Sequence, residues 1–219
     1  MKILNPFGPK IGATKVSNQL VEMLYNEGQK IREDEKKRKD HDYRRELAGN
    51  LAEEYRYGDL MSDELRHLLE LEVKSAAVQY LSAVSRVIQK DATVPFEKMV
   101  FSETWVNFMK QGEWNPRHCH GGYVSLVIFL RVPKEIALEN TTEESVKSSN
   151  FPTAGMLEFT YGEMMDLANC SANIIPKQGD MYLFPSALFH QVYPFVSDAE
   201  RVSVSLNIYY PELAQGIRG

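Results

Sequence analysis

The sequence has no apolar run approaching the ~18–20 residues that a helix needs to cross a bilayer, so no association with a membrane is expected. It has only two cysteines, Cys119 and Cys170, in 219 residues. That is too few for a disulfide framework, and a reducing, cytoplasmic compartment is expected. It has no excess of positive charge: the formal net charge is −5, which does not indicate nucleic acid as a partner. The opening Met1-Lys2-Ile3-Leu4-Asn5-Pro6 meets proline and glycine too early for a signal peptide. Internal repeats are absent. What is present, 43% hydrophobic and 25% charged residues, excludes a disordered chain, a collagen and a coiled-coil rod. The length suits a single domain over residues 1–219 with some elaboration, and its core needs no staples.

The average hides two unlike parts. Residues 1–100 hold 17 basic and 17 acidic side chains but 7 aromatics, whereas residues 101–219 hold 8 basic, 13 acidic and 16 aromatics. Residues 1–95 read as an extended arm followed by helices. Ser17 is a candidate cap for a helix starting near Asn18, and Ser62-Asp63 open a long helix to about Gln89 with one apolar stripe. The mixed-sign run Ile31 to Asp40 reads as a solvated helix face. Residues 96–212 carry short Val-, Ile-, Phe- and Tyr-rich runs near 98–109, 123–131, 155–161, 179–184, 189–194 and 200–210, separated by turn residues. This pattern predicts an antiparallel sandwich or barrel. The stretch 132–153 reads as a long loop. The fold class is therefore α+β, mainly β with N-terminal helices as a buttress.

Three of the five histidines fall in the β part. His118 and His120 stand at i and i+2, and on a strand they share a face with Cys119 pointing away. Imidazoles paired in this way suit Fe, Zn, Cu or Ni; the simpler alternative is two hydrogen-bonded histidines at a rim. His190 follows a strand and a Pro185-Ser186 turn that can present it inward, or it sits at the edge of a plain hairpin. The last strand alternates: Arg201, Ser203, Ser205, Asn207 and Tyr209 face one way, and Val202, Val204, Leu206 and Ile208 the other. Arg201 is one of four arginines after residue 100. Inside a barrel its planar fork calls for an anion such as a carboxylate; at a strand end it is simply solvated.

Taken in order, His118-x-His120, Gly179…Phe184-Pro185-Ser186…His190 and Arg201-x-Ser203 resemble the iron(II)/2-oxoglutarate-dependent dioxygenases. Trp105-x-Asn107…Asn115-Pro116-x-His118-x-His120-x-Gly122 and the upstream Leu47-Ala48-Gly49-Asn50 resemble a branch of small oxygenases found in marine bacteria and their phages. The likeness covers about residues 45–210. It implies a double-stranded β-helix, that is, a cupin-like jelly roll buttressed by helices. It implies a hydroxylase using Fe(II), O2 and 2-oxoglutarate, the last as a small-molecule cosubstrate converted to succinate and CO2. The metal ligands it implies are His118, His120 and His190. The anchor for the distal carboxylate of 2-oxoglutarate is Arg201 with Ser203, and Trp105, Asn107 and Tyr123 are further pocket candidates. For a phage protein the compartment is the host cytoplasm.

One departure stands out. His120 occupies the place where the family carries a carboxylate. Either it is a third ligand, or it supports the site from outside while water, halide or another acid completes it. Glu103 and Asp180 are the candidate acids. Two other readings compete with the hydroxylase: a cupin-like three-histidine metalloenzyme that does not use 2-oxoglutarate, and a non-catalytic jelly-roll structural or interaction module. The primary substrate is not legible, and a homodimer is one assembly the chain allows. The 132–153 loop, rich in Glu, Thr and Ser, is placed to cover the pocket.

Overall fold

The structure, a computed structural model, describes residues 8–84, 98–141 and 151–209. After a short strand β1 (Gly12–Lys15), Ser17 caps helix α1 (Asn18–Glu33), its hydroxyl accepting from the Leu20 amide at 3.1 Å. The Ser17 amide donates to Glu72 at 2.8 Å, which ties the start of α1 to the long helix α3 (Asp63–Val84). Between them lie α2 (Glu35–Asp40), which buries no residue as a mixed-sign run should, and strand β2 (Glu53–Arg56). The expected continuation of α3 to Gln89 lies outside the described residues.

The remaining strands are β3 (Val100–Phe101), β4 (Trp105–Lys110), β5 (Asn115–His118), β6 (Val124–Arg131), β7 (Leu157–Thr160), β8 (Ser171–Ile174), β9 (Asp180–Pro185), β10 (Phe189–Val192) and β11 (Glu200–Tyr209). They form two antiparallel sheets. The larger has the order β1-β9-β6-β11-β4-β2, with β3 also paired to β11, and the smaller runs β5-β10-β7-β8. The predicted strands are present. Four others, β1, β2, β5 and β8, lacked the apolar runs that announce a strand, because each is short and half exposed. The 132–153 stretch is not simply a loop: helix α4 (Lys134–Glu139) lies in it, anchored by the buried Ile136, and residues 142–150 lie outside the described residues.

Strand alternation sorts the apolar side chains into two cores. On one face of the large sheet, Val202, Val204, Leu206 and Ile208 of β11 join Leu20, Leu24 and Ile31 of α1 and Leu65, Leu69 and Val73 of α3. On its other face, Met109, Phe129 and Phe184 meet Leu157, Phe159 and Val192 of the small sheet, so the two sheets face each other. The arrangement is the jelly-roll architecture expected of the β part. Gly28 lets α1 approach the sheet: a Cβ there would meet the Phe108 ring at 3.3 Å and the Tyr57 hydroxyl at 3.4 Å. At the end of α1, Arg32 binds Glu53 of β2 and Glu200 of β11 with four bonds of 2.7–3.0 Å, its guanidinium 4.7 Å from the centre of the Phe108 ring.

Phe108 is fully buried beneath this network. The variant Phe108→Ala is expected to lose about 3–5 kcal/mol of unfolding free energy, read from urea denaturation. A loss below about 1 kcal/mol would show that the helix layer contributes little to holding the sheet.

Candidate metal centre and its pocket

His118 ends β5 and stands directly opposite His190 on β10. Each ring is fixed from behind. His118 Nδ1 lies 2.6 Å from the Pro116 carbonyl oxygen, and His190 Nδ1 lies 2.9 Å from that of Leu188. A carbonyl only accepts, so Nδ1 carries the proton in both rings and Nε2 keeps its lone pair for the cavity. His120 completes the group: the ring centres are 4.3–4.9 Å apart and the potential ligand atoms of the three residues all lie within 4.8 Å of one another.

Two details differ from the sequence-based expectation. His120 does not share a strand face with His118, because β5 stops at His118. The chain then turns, held by the His120 amide donating to Ser186 O at 2.9 Å and by Gly122 at φ 106°. The Pro185-Ser186 turn is not a hairpin either. It carries the chain from β9 in the large sheet to β10 in the small one, which delivers His190 to the cavity between them.

Burial leaves the three rings neutral. Desolvation lowers His118 from its ordinary value, lowers His120 to about 4 and lowers His190 to about 3; the mutual repulsion of the rings adds to the effect in His120 and His190. Neutral imidazoles with free Nε2 atoms are the form that binds a metal. Among the described residues this ligand cluster contains no carboxylate. Glu103 accepts from the Gly58 amide at another cleft, and Asp180 pairs with Lys15 at the opposite edge of the sheet.

The histidines open onto a cavity of about 180 Å³. Arg201 also lines it, 3% exposed. One of its amino groups donates to Gly155 O at 2.9 Å; among the described residues its Nε has no partner and no carboxylate pairs with it. Desolvation pulls it down to about 10. Gly155 sits at φ 63°, and a Cβ there would stand 2.3 Å from Ile136 of α4, so only glycine fits beneath the guanidinium. Phe129 pairs with Ser203 beside a bulge in the β6–β11 pairing, and its ring centre lies 5.5 Å from the guanidinium. Ser203, Ser205 and Asn207 follow along the same face of β11. The Ser125 hydroxyl bonds Asn207 Oδ1 at 2.6 Å and the Ser186 hydroxyl at 3.0 Å.

Of the remaining candidates, Trp105 lines the cavity with its ring 5.8 Å from that of His120, and Asn107 lies beside Ser203. Tyr123 is elsewhere, packed against the helix-side core. Sequence reasoning missed Glu54 and Asn115 as pocket residues. Glu54 is 1% exposed, and burial, reinforced by Glu113, pushes its carboxyl up to about 7. Its only signal was its place just after the Leu47–Asn50 segment; strand β2 shows neither apolar alternation nor turn punctuation.

Residues 103–207, just under half of the chain, match the family model described as "Putative 2OG-Fe(II) oxygenase". Residues 103–207 are thus similar to the 2OG-Fe(II) oxygenases. That family uses Fe(II), 2-oxoglutarate and O2, and the three-histidine cluster suits iron. Solved structures share the fold at low identity. A prolyl-4-hydroxylase from Pseudomonas putida aligns with TM-score 0.54 and 15% identity over 91% of each chain. HygX from Streptomyces hygroscopicus, solved with iron bound, gives 0.54 and 10% over 93% of this chain and 83% of its own. The non-heme alpha-ketoglutarate-dependent epimerase SnoN gives 0.56 and 12% over 90% and 76%. No curated protein sequence matches.

With no metal added, the histidine environment fixes a pH dependence. Below about pH 6.5 the unfolded chain takes up a proton that folded His190 refuses, so stability is kept above that pH and falls as the pH drops toward 3. Between pH 7 and 5 this group alone is expected to cost about 1–2 kcal/mol. In His190→Gln the fall in unfolding free energy, read from urea denaturation, should be shallower by that amount; parallel slopes would mean that His190 protonates freely in the fold.

Proposed function

We propose that this chain is an Fe(II)- and 2-oxoglutarate-dependent hydroxylase. In this reading His118, His120 and His190 hold the metal, and Arg201 with Ser203 anchors the distal carboxylate of 2-oxoglutarate. Residues 1–95 serve as arm and buttress and residues 96–212 as the catalytic core. The observation that carries the assignment is the buried guanidinium with an unpartnered Nε in the same cavity as the three histidines. An uncompensated buried charge is costly, and a carboxylate delivered by a ligand removes that cost with bonds the fork is shaped to make. When bound, iron with 2-oxoglutarate and O2 supplies oxidative decarboxylation to succinate and CO2 and hydroxylation of a second substrate.

The chain's own residues bind, orient and exclude water. Arg201 is held in place by Gly155 O and packed by Phe129, so it meets the anion without rearranging. Leu157, Phe184 and Val192 line the same cavity as the anchor and the histidines, which lowers the local dielectric and strengthens the ionic contact. The Pro116 and Leu188 carbonyls hold two imidazoles in one tautomer and one orientation, as outer partners of metal-binding histidines do. The free thiols Cys119 and Cys170 support a reducing, cytoplasmic setting.

The absence of a carboxylate from the ligand cluster favours one second reading, a cupin-like three-histidine enzyme in which Arg201 binds the substrate's own carboxylate. Anaerobic titration of the Fe(II)-loaded protein with 2-oxoglutarate separates the two. The hydroxylase is expected to give a metal-to-ligand absorption band, with Arg201→Ala weakening 2-oxoglutarate by about 30-fold or more; oxygen consumption without succinate and without the band would favour the second reading. Isothermal titration with Fe(II) tests His120. His120→Ala should lose more than about 100-fold in affinity, beyond the 10–100-fold typical of a residue that only supports a ligand.

A further inference from the structure

The cavity has a second polar flank, opposite in character to the arginine. Glu54 on β2 stands beside Asn107 on β4, which in turn stands beside Ser203 on β11. The row therefore leads from the anchor strand to the edge of the large sheet. Glu54 Oε2, Asn107 Oδ1 and Asn115 Oδ1 are all buried, and none has a hydrogen-bond partner among the described residues. Two of these groups converge beside Gly49. A Cβ on Gly49 would stand 2.7 Å from Asn115 Oδ1, 2.8 Å from Glu54 Oε1 and 3.0 Å from Glu54 Oε2. Glycine is thus what lets the two side chains close up on the backbone. Asn115 Oδ1 and Glu54 Oε1 are no more than about 5.5 Å apart, the sum of their distances to that point.

The charges around this flank do not neutralise it. Arg44 acts on Glu54 from a distance but is already paired with Asp42 at 2.6 Å, while Glu113 and Asp42 push Glu54 the other way. Glu46, exposed, also lines the cavity on this side. Amide ends can turn to suit a ligand; once ionised, above about pH 7, the Glu54 carboxylate only accepts, and it sets the sign of the site. Buried acceptors without donors are the costly case, and the group that best relieves them is a cation carrying several N–H bonds. A primary ammonium has three.

We propose that Glu54, Asn115 and Asn107 form a subsite for the cationic nitrogen of the primary substrate, a primary amine or a comparable N–H cation. The identification of the ligand as a substrate rests on the hydroxylase reading; the subsite itself rests on the unpartnered oxygens. Asn115 opens the strand that His118 ends, three residues on, about 10 Å along an extended chain. Both residues line the same cavity of about 180 Å³, a space suited to a short alkylamine or a lysine-length side chain. The two charged ligands occupy opposite flanks, the anionic cosubstrate at Arg201 and the cationic substrate at Glu54.

The test uses the full chain without metal at pH 8, titrated with n-butylammonium chloride and with butan-1-ol as its neutral counterpart, and read by ligand-observed NMR. Saturable binding of butylammonium, at least tenfold tighter than of butanol and at least tenfold weaker in Glu54→Gln, is expected. No saturable binding, equal binding of the alcohol, or equal binding to Glu54→Gln overturns the proposal. Should Glu54→Gln lose its folded circular dichroism, Asn115→Leu is read instead and is expected to weaken butylammonium several-fold; no change overturns the proposal. A second arm titrates the peptide Gly-Gly-Lys-Gly-Gly. Tighter binding than butylammonium supports the subsite with a lysine side chain as its source, and weaker binding supports it with a free amine. Because this readout needs neither iron nor 2-oxoglutarate, a missing absorption band with intact ammonium binding would sink the hydroxylase and leave the subsite standing. A normal band without ammonium binding would do the reverse.

Discussion

Strand β11 has to satisfy two opposite environments at once, and the rest of the molecule is arranged around that requirement. Its even-numbered residues from Val202 to Ile208 close the core beneath α1 and α3, and its odd-numbered residues from Arg201 to Asn207 line the cavity. A period of two places a charge within one residue of a fully buried valine. The helices are needed because the outer face of this strand is wholly apolar. The small sheet is needed because the inner face is polar and must be shielded from bulk water to matter electrostatically. Arg32 secures the arrangement from outside: it grips Glu200, the residue immediately before Arg201, and thereby fixes where the strand begins.

The cavity is electrostatically polarised. Arg201 offers a positive charge with an unused N–H, Glu54 offers a carboxyl that no donor satisfies, and three neutral imidazoles lie in the same space. Each of these groups is uncomfortable alone. Of the six buried side-chain atoms without a partner among the described residues, four belong to groups that line this cavity, whereas neighbouring Ser125 and Asn207 bond each other. Unpartnered polar groups gathered in one cavity are what the proposed ligands of defined charge would satisfy.

The sequence made some of this legible and concealed the rest for identifiable reasons. Alternation in Arg201–Tyr209 was readable because both faces are strongly typed. The apolar stripe after Asp63 was readable because helical spacing repeats over several turns. The three histidines could be grouped, but the expected geometry of two of them was wrong: sharing a strand face requires the strand to continue, and β5 ends at His118. The Pro185-Ser186 turn was visible, whereas its destination, the other sheet, depends on pairing that no local pattern encodes. Glu54 was hidden most completely. Glu53-Glu54-Tyr55-Arg56 lies in the charge-rich part of the chain, and only its pairing with β4 brings the second glutamate indoors.

The Pro185-Ser186 crossing also bears on the order in which the protein can become competent during synthesis. His118 and His120 leave the ribosome some seventy residues before His190, and Arg201 follows later still. Until β9 has paired with β6 and the chain has crossed, the first two imidazoles have no third partner and no anion site nearby. Any metal bound at that stage would be held by two loose ligands and readily lost, so tight capture waits for nearly the whole β part to fold. From then on, a ligand that binds only the finished fold adds to its stability by mass action. In the hydroxylase reading, acquisition of the metal and completion of the fold are in this way a single event.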